Sequence, residues 1–337
     1  MIRKAEIRAM AVLFVALYSA PGQGQAPPAT IIQIETANQV RYVWDTPDYS
    51  TYATVQTPSN LVLPTFATYM TQGDIVSVNG KPAKGMYLTR QVVTNFSPTP
   101  QPGQGIADFV ASAMVDRIIV LMQADGTPVG SITMLGLDGA VPPPGAPAIS
   151  RQGSFAIAGG TGAFLGVRGQ FESGPLIPGA PGARSGSVRE DPSRRRINGG
   201  MRGIFLLHLI PMSRPEVVIT PNGPAISHST DFSLVSTAKP AAAGEILSLF
   251  ATGLGPSKLV LDPGKPFPAD PPATVNSPVE VTVNGKPAEL FGAVGYPGTV
   301  DNYQVNFRVP ADTAKGVATV QVTAAWIAGS EVRIAVQ

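Results

Sequence analysis

The sequence predicts an all-β protein in which an antiparallel eight-stranded barrel is followed by an immunoglobulin-like β-sandwich. Three observations lead to this fold class. Apolar residues fall in short runs with a period of two, 36 glycines and 34 prolines separate those runs, and no stretch has sustained helical periodicity. Hydrophobic residues make up 44% and charged residues 14% of the chain, whereas disordered chains combine low hydrophobicity with high charge.

The first 26 residues have the layout of a secretory signal peptide. A basic start precedes the apolar stretch Ala9–Tyr18 and a run of small residues. That stretch is shorter than the about 20 residues that a transmembrane helix needs. We therefore expect cleavage between Ala20 and Ala26, no membrane span afterwards, and export to the cell surface, the periplasm or the medium. The expected domains are residues 27–212 and 213–337.

Composition argues against several functions. The chain has no cysteine, which excludes a disulfide framework and a thiol catalyst. Its formal net charge of +2 comes from the leader, and 21 basic and 21 acidic residues remain without it, so charge gives no reason to expect nucleic-acid binding. His208 and His228 are the only histidines, and neither lies in a metal-ligand spacing. We expect no metal and no cofactor.

The barrel is predicted from nine short strand candidates in about 180 residues. Asn79-Gly80, Asp125-Gly126 and Asp138-Gly139 are typical hairpin turns between them. Closure of such strands into a barrel removes exposed edges. The predicted strands are Ile31–Thr36, Gln39–Trp44, Asp74–Asn79, Lys84–Thr94, Met114–Gln123, Val129–Leu137, Ser154–Ala158, Gly166–Phe171 and Gly203–Ile210.

The glycine-rich segment Gly153–Gly169 has two competing interpretations, a nucleotide-binding loop and a turn between two strands. A dinucleotide loop must open a helix. The residues that follow, Gln170–Gly182, contain three prolines and three glycines and are incompatible with a helix. The sequence therefore favours the turn.

The second half begins after Pro211–Pro215, and about seven short strands in 120 residues suggest the sandwich. In Tyr303–Val309 apolar residues alternate with Gln, Asn and Arg, which predicts a strand with one buried face. The hexapeptide Val78–Ala83 recurs as Val283–Ala288, and we expect a type I′ hairpin turn at both places.

Gly159–Gly169, preceded by Gly153–Ile157, resembles the signature of the dirigent and allene oxide cyclase-like barrel superfamily. Gly73-Asp74 and Asp125–Gly130 also look like that group. The resemblance covers roughly residues 30–210. It implies an eight-stranded barrel around a largely apolar cavity, and a homo-oligomer, since such barrels often form dimers or trimers. It also makes Glu35 the counterpart of the glutamate with which the cyclases steer an epoxide.

The C-terminal part is similar to a different group, the uncharacterised immunoglobulin-like domain at the C-terminus of exported proteins of Solibacter and other Acidobacteria. The similarity rests on Gly253–Pro256, Pro278–Ala288 and Tyr303–Pro310 and covers about residues 216–337. It implies an exported bacterial protein and no particular chemistry.

Glu35, Arg90 and Asp116 are the candidate ligand-binding residues. Asp116 and Arg117 are neighbours in an apolar strand, so their side chains point to opposite faces. The one that points inward would orient a ligand in an apolar cavity. The alternative is a structural cross-strand pair between Asp116 and Arg90.

A second candidate site is the basic segment with Arg184, Arg189, Arg194, Arg195 and Arg196. It would contact a polyanion such as an acidic surface polysaccharide. It contains no aromatic residue for base stacking, which argues against nucleic acid. The alternative is a solvated loop.

Three functional hypotheses follow from these features. The leading one is non-enzymatic: the barrel binds a small apolar ligand or is a structural unit, and the sandwich is a spacer or cell-surface interaction module. The second is cyclase or isomerase chemistry in the barrel, with Glu35, Arg90 or Asp116 orienting the substrate. The third is adhesion to a polyanion through the arginine-rich segment.

Overall fold

The computed structural model describes residues 30–43, 68–94, 112–138, 154–177, 184–186, 200, 202–259, 261 and 264–337. Every regular element in these residues is a β-strand, which confirms the predicted all-β class for this part of the chain. None of these residues belongs to a helix that could cross a membrane. The predicted signal peptide, residues 1–26, lies outside the described residues.

Eight strands form a closed antiparallel barrel, as predicted. The ring runs β1-β2-β3-β4-β5-β6-β7-β9, and β9 pairs back onto β1. The short strand β8 lies outside the ring and pairs in parallel with the end of β1. The bounds are β1 Thr30–Val43, β2 Thr68–Val78, β3 Lys81–Thr94, β4 Ser112–Gln123, β5 Pro128–Asp138, β6 Ser154–Gly162, β7 Arg168–Leu176, β8 Arg184–Gly186 and β9 Gly203–Ile210.

The first barrel strand corrects one prediction. Ile31–Thr36 and Gln39–Trp44 were expected as two strands, but β1 runs through both segments as far as Val43. Asn38 has a positive φ of 55°, and the register against β2 shifts between Ala37 and Val40, so this segment forms a bulge. A bulge bends a strand without ending it. β1 pairs with β9 from Thr30 to Thr36 and with β2 from Ile34 to Val43.

The glycine-rich segment forms the predicted turn between two strands, β6 and β7, and its glycines make room for close packing. Phe164 in this turn is 1% exposed. A Cβ atom on Gly160 would lie 2.5 Å from the Phe164 carbonyl oxygen, and one on Gly169 would lie 1.9 Å from the His208 carbonyl oxygen. Any side chain at these two positions would therefore collide with backbone.

The three turns β2–β3, β4–β5 and β6–β7 lie at the same end of the barrel, here named the turn end. The half of the barrel remote from the turn end is named the far half. Alternate residues of each strand point into the barrel and form one buried apolar cluster. The larger members of the cluster are Ile32, Ile34, Ile75, Val78, Tyr87, Ile119, Leu121, Ile132, Met134, Phe155, Ile157, Phe164, Phe171, Phe205, Leu207 and Leu209.

The remaining strands form two larger sheets and one two-stranded ribbon. One sheet has the order β10-β14-β18-β17 with β13 also paired to β14, and the other β16-β15-β19-β20 with β21 also paired to β19. Both sheets contribute to a second buried apolar cluster, as Leu249, Phe307, Val281 and Val320 illustrate. The bounds are β10 Glu216–Val217, β11 Ile219–Thr220, β12 Gly223–Pro224, β13 Ile226–His228, β14 Ile246–Thr252, β15 Val279–Val283, β16 Lys286–Pro287, β17 Glu289–Gly295, β18 Tyr303–Arg308, β19 Gly316–Ala324, β20 Ile327–Ala328 and β21 Val332–Val336.

The repeated hexapeptide forms a hairpin turn at both positions. Asn79 and Gly80 have φ values of 49° and 74°, and Asn284 and Gly285 have 51° and 75°. Positive φ at both central residues is the requirement of a type I′ turn. Both predicted turns are confirmed. They could be predicted because the turn type depends only on the local sequence.

Residues from the C-terminal sheets close the turn end of the barrel. Trp326 and Ile327, 8% and 3% exposed, belong to the barrel's apolar cluster. Gln123 Nε2 in the barrel donates a hydrogen bond of 2.6 Å to the Asn276 carbonyl oxygen, and Lys81 forms an ion pair with Glu280. The C-terminal sheets thereby cover the turn end of the barrel.

Candidate functional site

Among the described residues of the barrel, Arg117 is the charged side chain that points inward. It is 7% exposed and lies on β4 between the inward-facing Val115 and Ile119. Its Nε atom donates a hydrogen bond of 2.9 Å to Oγ1 of Thr89, which is directly opposite on β3 and fully buried. The alternation of β4 thus places a cation in the far half of the apolar interior.

Four aromatic rings surround the Arg117 guanidinium. Its central carbon lies 4.5 Å from the ring centroid of Phe171, 4.8 Å from Phe205, 5.2 Å from Phe155 and 5.9 Å from Tyr87. The rings contact one another edge to face, with centroids 5.0 to 5.2 Å apart. The ring faces attract the cation and offset part of the cost of its burial. These four rings form an aromatic cage around the guanidinium.

Two neutral polar side chains lie beside Arg117 and Thr89. Thr71, 4% exposed, is opposite Thr89 on β2, and Gln91, 5% exposed, is two residues beyond Thr89 on β3. Thr71 Oγ1 and Gln91 Oε1 are buried and make no hydrogen bond. An unmade hydrogen bond of a buried group costs about 1–3 kcal/mol. We refer to Thr71, Thr89, Gln91 and Arg117 as the polar patch.

Other buried polar groups in the same barrel do have partners. Thr36 Oγ1 donates to the Gly203 carbonyl oxygen at 3.2 Å. The Tyr87 hydroxyl donates to Gln39 Oε1 at 2.7 Å. The unmade hydrogen bonds of Thr71 and Gln91 are therefore a local feature of the polar patch, where a bound molecule could supply the partners.

None of the three predicted ligand-binding residues points into the barrel. Glu35 lies on the outer side of β1, where its carboxylate forms an ion pair with Arg202 and accepts a hydrogen bond of 3.3 Å from Ser77. Arg90 and Asp116 lie opposite each other on the outer side of β3 and β4, and Arg90 Nε donates to Asp116 Oδ2 at 2.8 Å.

Of the two neighbours on β4, Arg117 therefore points into the barrel and Asp116 points outward. Asp116 instead forms the cross-strand pair with Arg90 that is the structural alternative for this residue. Thr71 and Gln91 were not predicted as site residues. The predicted strand Asp74–Asn79 begins after Thr71, and apolar residues on both faces of β3 conceal which face Gln91 occupies.

The predicted polyanion site falls almost entirely outside the described residues. Arg189, Arg194, Arg195 and Arg196 lie there. The backbone of Arg184 is in β8, opposite Val40 of β1. Adhesion to an acidic polysaccharide through this segment stays a prediction.

A concave site lies in the C-terminal sheets and has a volume of about 410 Å³. Its apolar lining includes Leu259, Phe267 and Tyr303, and Lys265 and Asp301 are its charged residues. The Tyr303 hydroxyl already donates a hydrogen bond of 2.6 Å to a backbone carbonyl. Burial raises the pKa of Tyr303 above its ordinary value, so this hydroxyl stays protonated at neutral pH.

The two histidines have protein partners. His228 is 4% exposed, and its Nδ1 lies 2.5 Å from Glu245 Oε1. His208 is on β9, with Nε2 3.9 Å from Glu172 Oε2. The described residues contain no group of three or more side chains that could hold a metal ion.

Comparison with protein-family models, curated proteins and solved structures found no match to this chain. The closed eight-stranded barrel that the first resemblance implies is confirmed by the structure. The dirigent or allene oxide cyclase-like identity and the immunoglobulin-like identity stay predictions.

Proposed function

We propose that this protein is an exported, non-enzymatic binding protein whose barrel holds a small, mainly apolar ligand in its far half, against the polar patch. The observation that carries the proposal is the pair of buried atoms without hydrogen bonds, Thr71 Oγ1 and Gln91 Oε1, beside a caged arginine. In this proposal the barrel is of the dirigent or allene oxide cyclase type. The C-terminal sheets are an immunoglobulin-like spacer or cell-surface module.

The polar patch suggests the chemical class of the ligand. The Thr71 hydroxyl can donate and accept a hydrogen bond, whereas Gln91 Oε1 can only accept. One ligand hydroxyl can donate to Gln91 and pair with Thr71. Around these atoms the buried residues Ala113 and Val115 and the aromatic cage offer apolar contacts. The ligand class is therefore a small alcohol or phenol with an apolar body.

Binding is favoured over cyclase or isomerase chemistry by the position of the carboxylates. Catalysis by Glu35, Arg90 or Asp116 requires these groups to face the ligand. Glu35 is paired with Arg202, and Asp116 with Arg90, on the outer surface of the barrel. A proton donor or acceptor must lie within hydrogen-bond reach of the reacting group.

The test is a fluorescence titration with 2-naphthol, which has a flat apolar body and one hydroxyl. We expect saturable binding by the wild type and weaker binding of 2-methylnaphthalene, which lacks the hydroxyl. The double variant Thr71→Val/Gln91→Leu should bind 2-naphthol at least about tenfold more weakly, because it loses two hydrogen bonds of about 1 kcal/mol each.

The control for this titration is Thr36→Val, which removes a buried hydroxyl that has a partner within the protein. It should leave 2-naphthol affinity unchanged. Equal affinity of the wild type and the double variant, or equal affinity for the two naphthalenes, would contradict the proposal.

A further inference from the structure

We propose that the outer surface of β3, β4 and β5 is a self-association interface through which two copies of this chain form a two-fold dimer. This inference is independent of the proposed ligand, because it concerns the opposite face of the same strands. It is carried by an apolar surface with one ion pair at its centre.

The surface is apolar and solvent-exposed. Met114 is 60% exposed, Leu135 48%, Ile118 43% and Leu137 41%. Met114 lies opposite Val92 on one side and Leu137 on the other, so the exposed side chains are contiguous across the three strands. Soluble monomers rarely expose large contiguous apolar patches. We name this surface, with Leu88, Val92, Met114, Ile118, Leu135 and Leu137, the outer apolar face.

The sequence of β4 indicates that the outer apolar face is covered by another molecule. Residues 113–122 are apolar at both inward and outward positions except for Asp116 and Arg117. Strands with a solvated face alternate between apolar and polar residues, whereas strands covered on both faces read as continuous apolar runs. Parts of the exterior elsewhere are polar: Gln33 and Glu35 of β1 and Gln170 and Glu172 of β7 point outward.

The ion pair at the centre of the face is built from neighbours on two strands. Asp116 lies between Met114 and Ile118 along β4 and directly opposite Arg90 on β3. The side chains of Arg90 and Asp116 are 64% and 42% exposed. The face therefore presents one cation and one anion side by side, within a ring of apolar side chains.

This arrangement is complementary to itself, which identifies the occupant as a second copy. A two-fold axis that runs along the strands between β3 and β4 places Arg90 opposite the partner's Asp116, and Asp116 opposite the partner's Arg90. In an isologous interface the same patch meets itself, so opposite charges on either side of the axis always pair. Such pairing fixes the orientation of the copies, while the apolar side chains supply buried area.

The experiment measures the mass of the purified protein by sedimentation velocity at micromolar concentrations. Wild type is expected at twice the chain mass. Arg90→Glu makes the centre of the face doubly negative and Asp116→Lys makes it doubly positive, so each variant alone should be monomeric because like charges then face each other. An equimolar mixture of the two variants should form a heterodimer.

Met114→Gln and Val317→Gln are a matched pair of apolar-to-polar changes at exposed positions, since Val317 is 71% exposed on β19. The first should weaken the dimer at least tenfold and the second should not change it. Circular dichroism spectra equal to wild type show that the variants are folded. A monomeric wild type, an unchanged dimer dissociation constant in Met114→Gln, or charge variants that fail to associate on mixing would each overturn the proposal.

Discussion

Two buried threonine hydroxyls in the barrel differ only in their surroundings. Thr36 is 3% exposed and Thr71 is 4% exposed, and both side chains point inward. The Thr36 hydroxyl donates to a backbone carbonyl, whereas the Thr71 hydroxyl makes no hydrogen bond. A buried hydroxyl without a partner lowers the stability of the free protein. In the proposed function, a ligand hydroxyl supplies the missing partner.

Substitution of these threonines by valine should therefore have opposite effects on stability. Thr71→Val removes a hydroxyl that lacks a partner, and we expect the free energy of unfolding to rise by about 1 kcal/mol. Thr36→Val loses a hydrogen bond and should lower the free energy of unfolding by about 1 kcal/mol. Urea unfolding of the ligand-free protein measures both. A Thr71→Val variant as destabilised as Thr36→Val would show that the Thr71 hydroxyl is structural.

At the scale of elements, two barrel glycines are required for different reasons. Gly169 has φ of 150° and its missing Cβ would collide with the His208 carbonyl oxygen of β9. Gly80, in the β2–β3 turn, has φ of 74° but open space around it. The first glycine serves packing between strands, and the second serves only backbone conformation.

Replacement of these glycines by alanine should separate the two effects. Gly80→Ala adds only the cost of a left-handed conformation, about 1–2 kcal/mol. Gly169→Ala also forces β7 away from β9, and a loss of more than about 3 kcal/mol is expected. Thermal unfolding with a van't Hoff analysis compares them. Equal losses of unfolding free energy in the two variants would mean that β7 and β9 can separate to admit the alanine side chain without an energetic penalty.

The sequence allowed the local elements to be predicted better than the long-range ones. The Asn-Gly turns followed from the φ requirements of two residues, and the prolines after Gly169 excluded a helix. The bulge at Asn38 depends on the register of β1 between two partner strands, which no local pattern shows. Which of Asp116 and Arg117 points inward could not be decided from the sequence, because β4 is apolar on both faces.

At the scale of the whole molecule, the C-terminal sheets pack against the turn end of the barrel. Trp326, in the turn between β19 and β20, is 8% exposed and packs in the barrel's apolar cluster. A Cβ atom on Gly255 would lie 3.1 Å from the Ala163 Cβ in the β6–β7 turn. The two halves of the chain therefore share buried surface, and the stability of the barrel depends on residues of the C-terminal part.

Trp326→Ala should consequently destabilise barrel strands that are distant in sequence. Removal of a buried tryptophan costs about 3–5 kcal/mol. We expect faster hydrogen exchange of amides in β1–β9 as well as in β19 and β20. Val317→Ala, at an exposed position of β19, should change stability by less than about 0.5 kcal/mol. Faster exchange confined to the C-terminal sheets would contradict the shared core.

The most direct test of the proposed function is a crystal structure of the protein with 2-naphthol. The ring should lie in the far half of the barrel, with its hydroxyl within hydrogen-bond distance of Thr71 Oγ1 and Gln91 Oε1. Naphthol found instead in the C-terminal pocket beside Leu259 and Phe267, with the barrel filled only by its own side chains, would contradict the account.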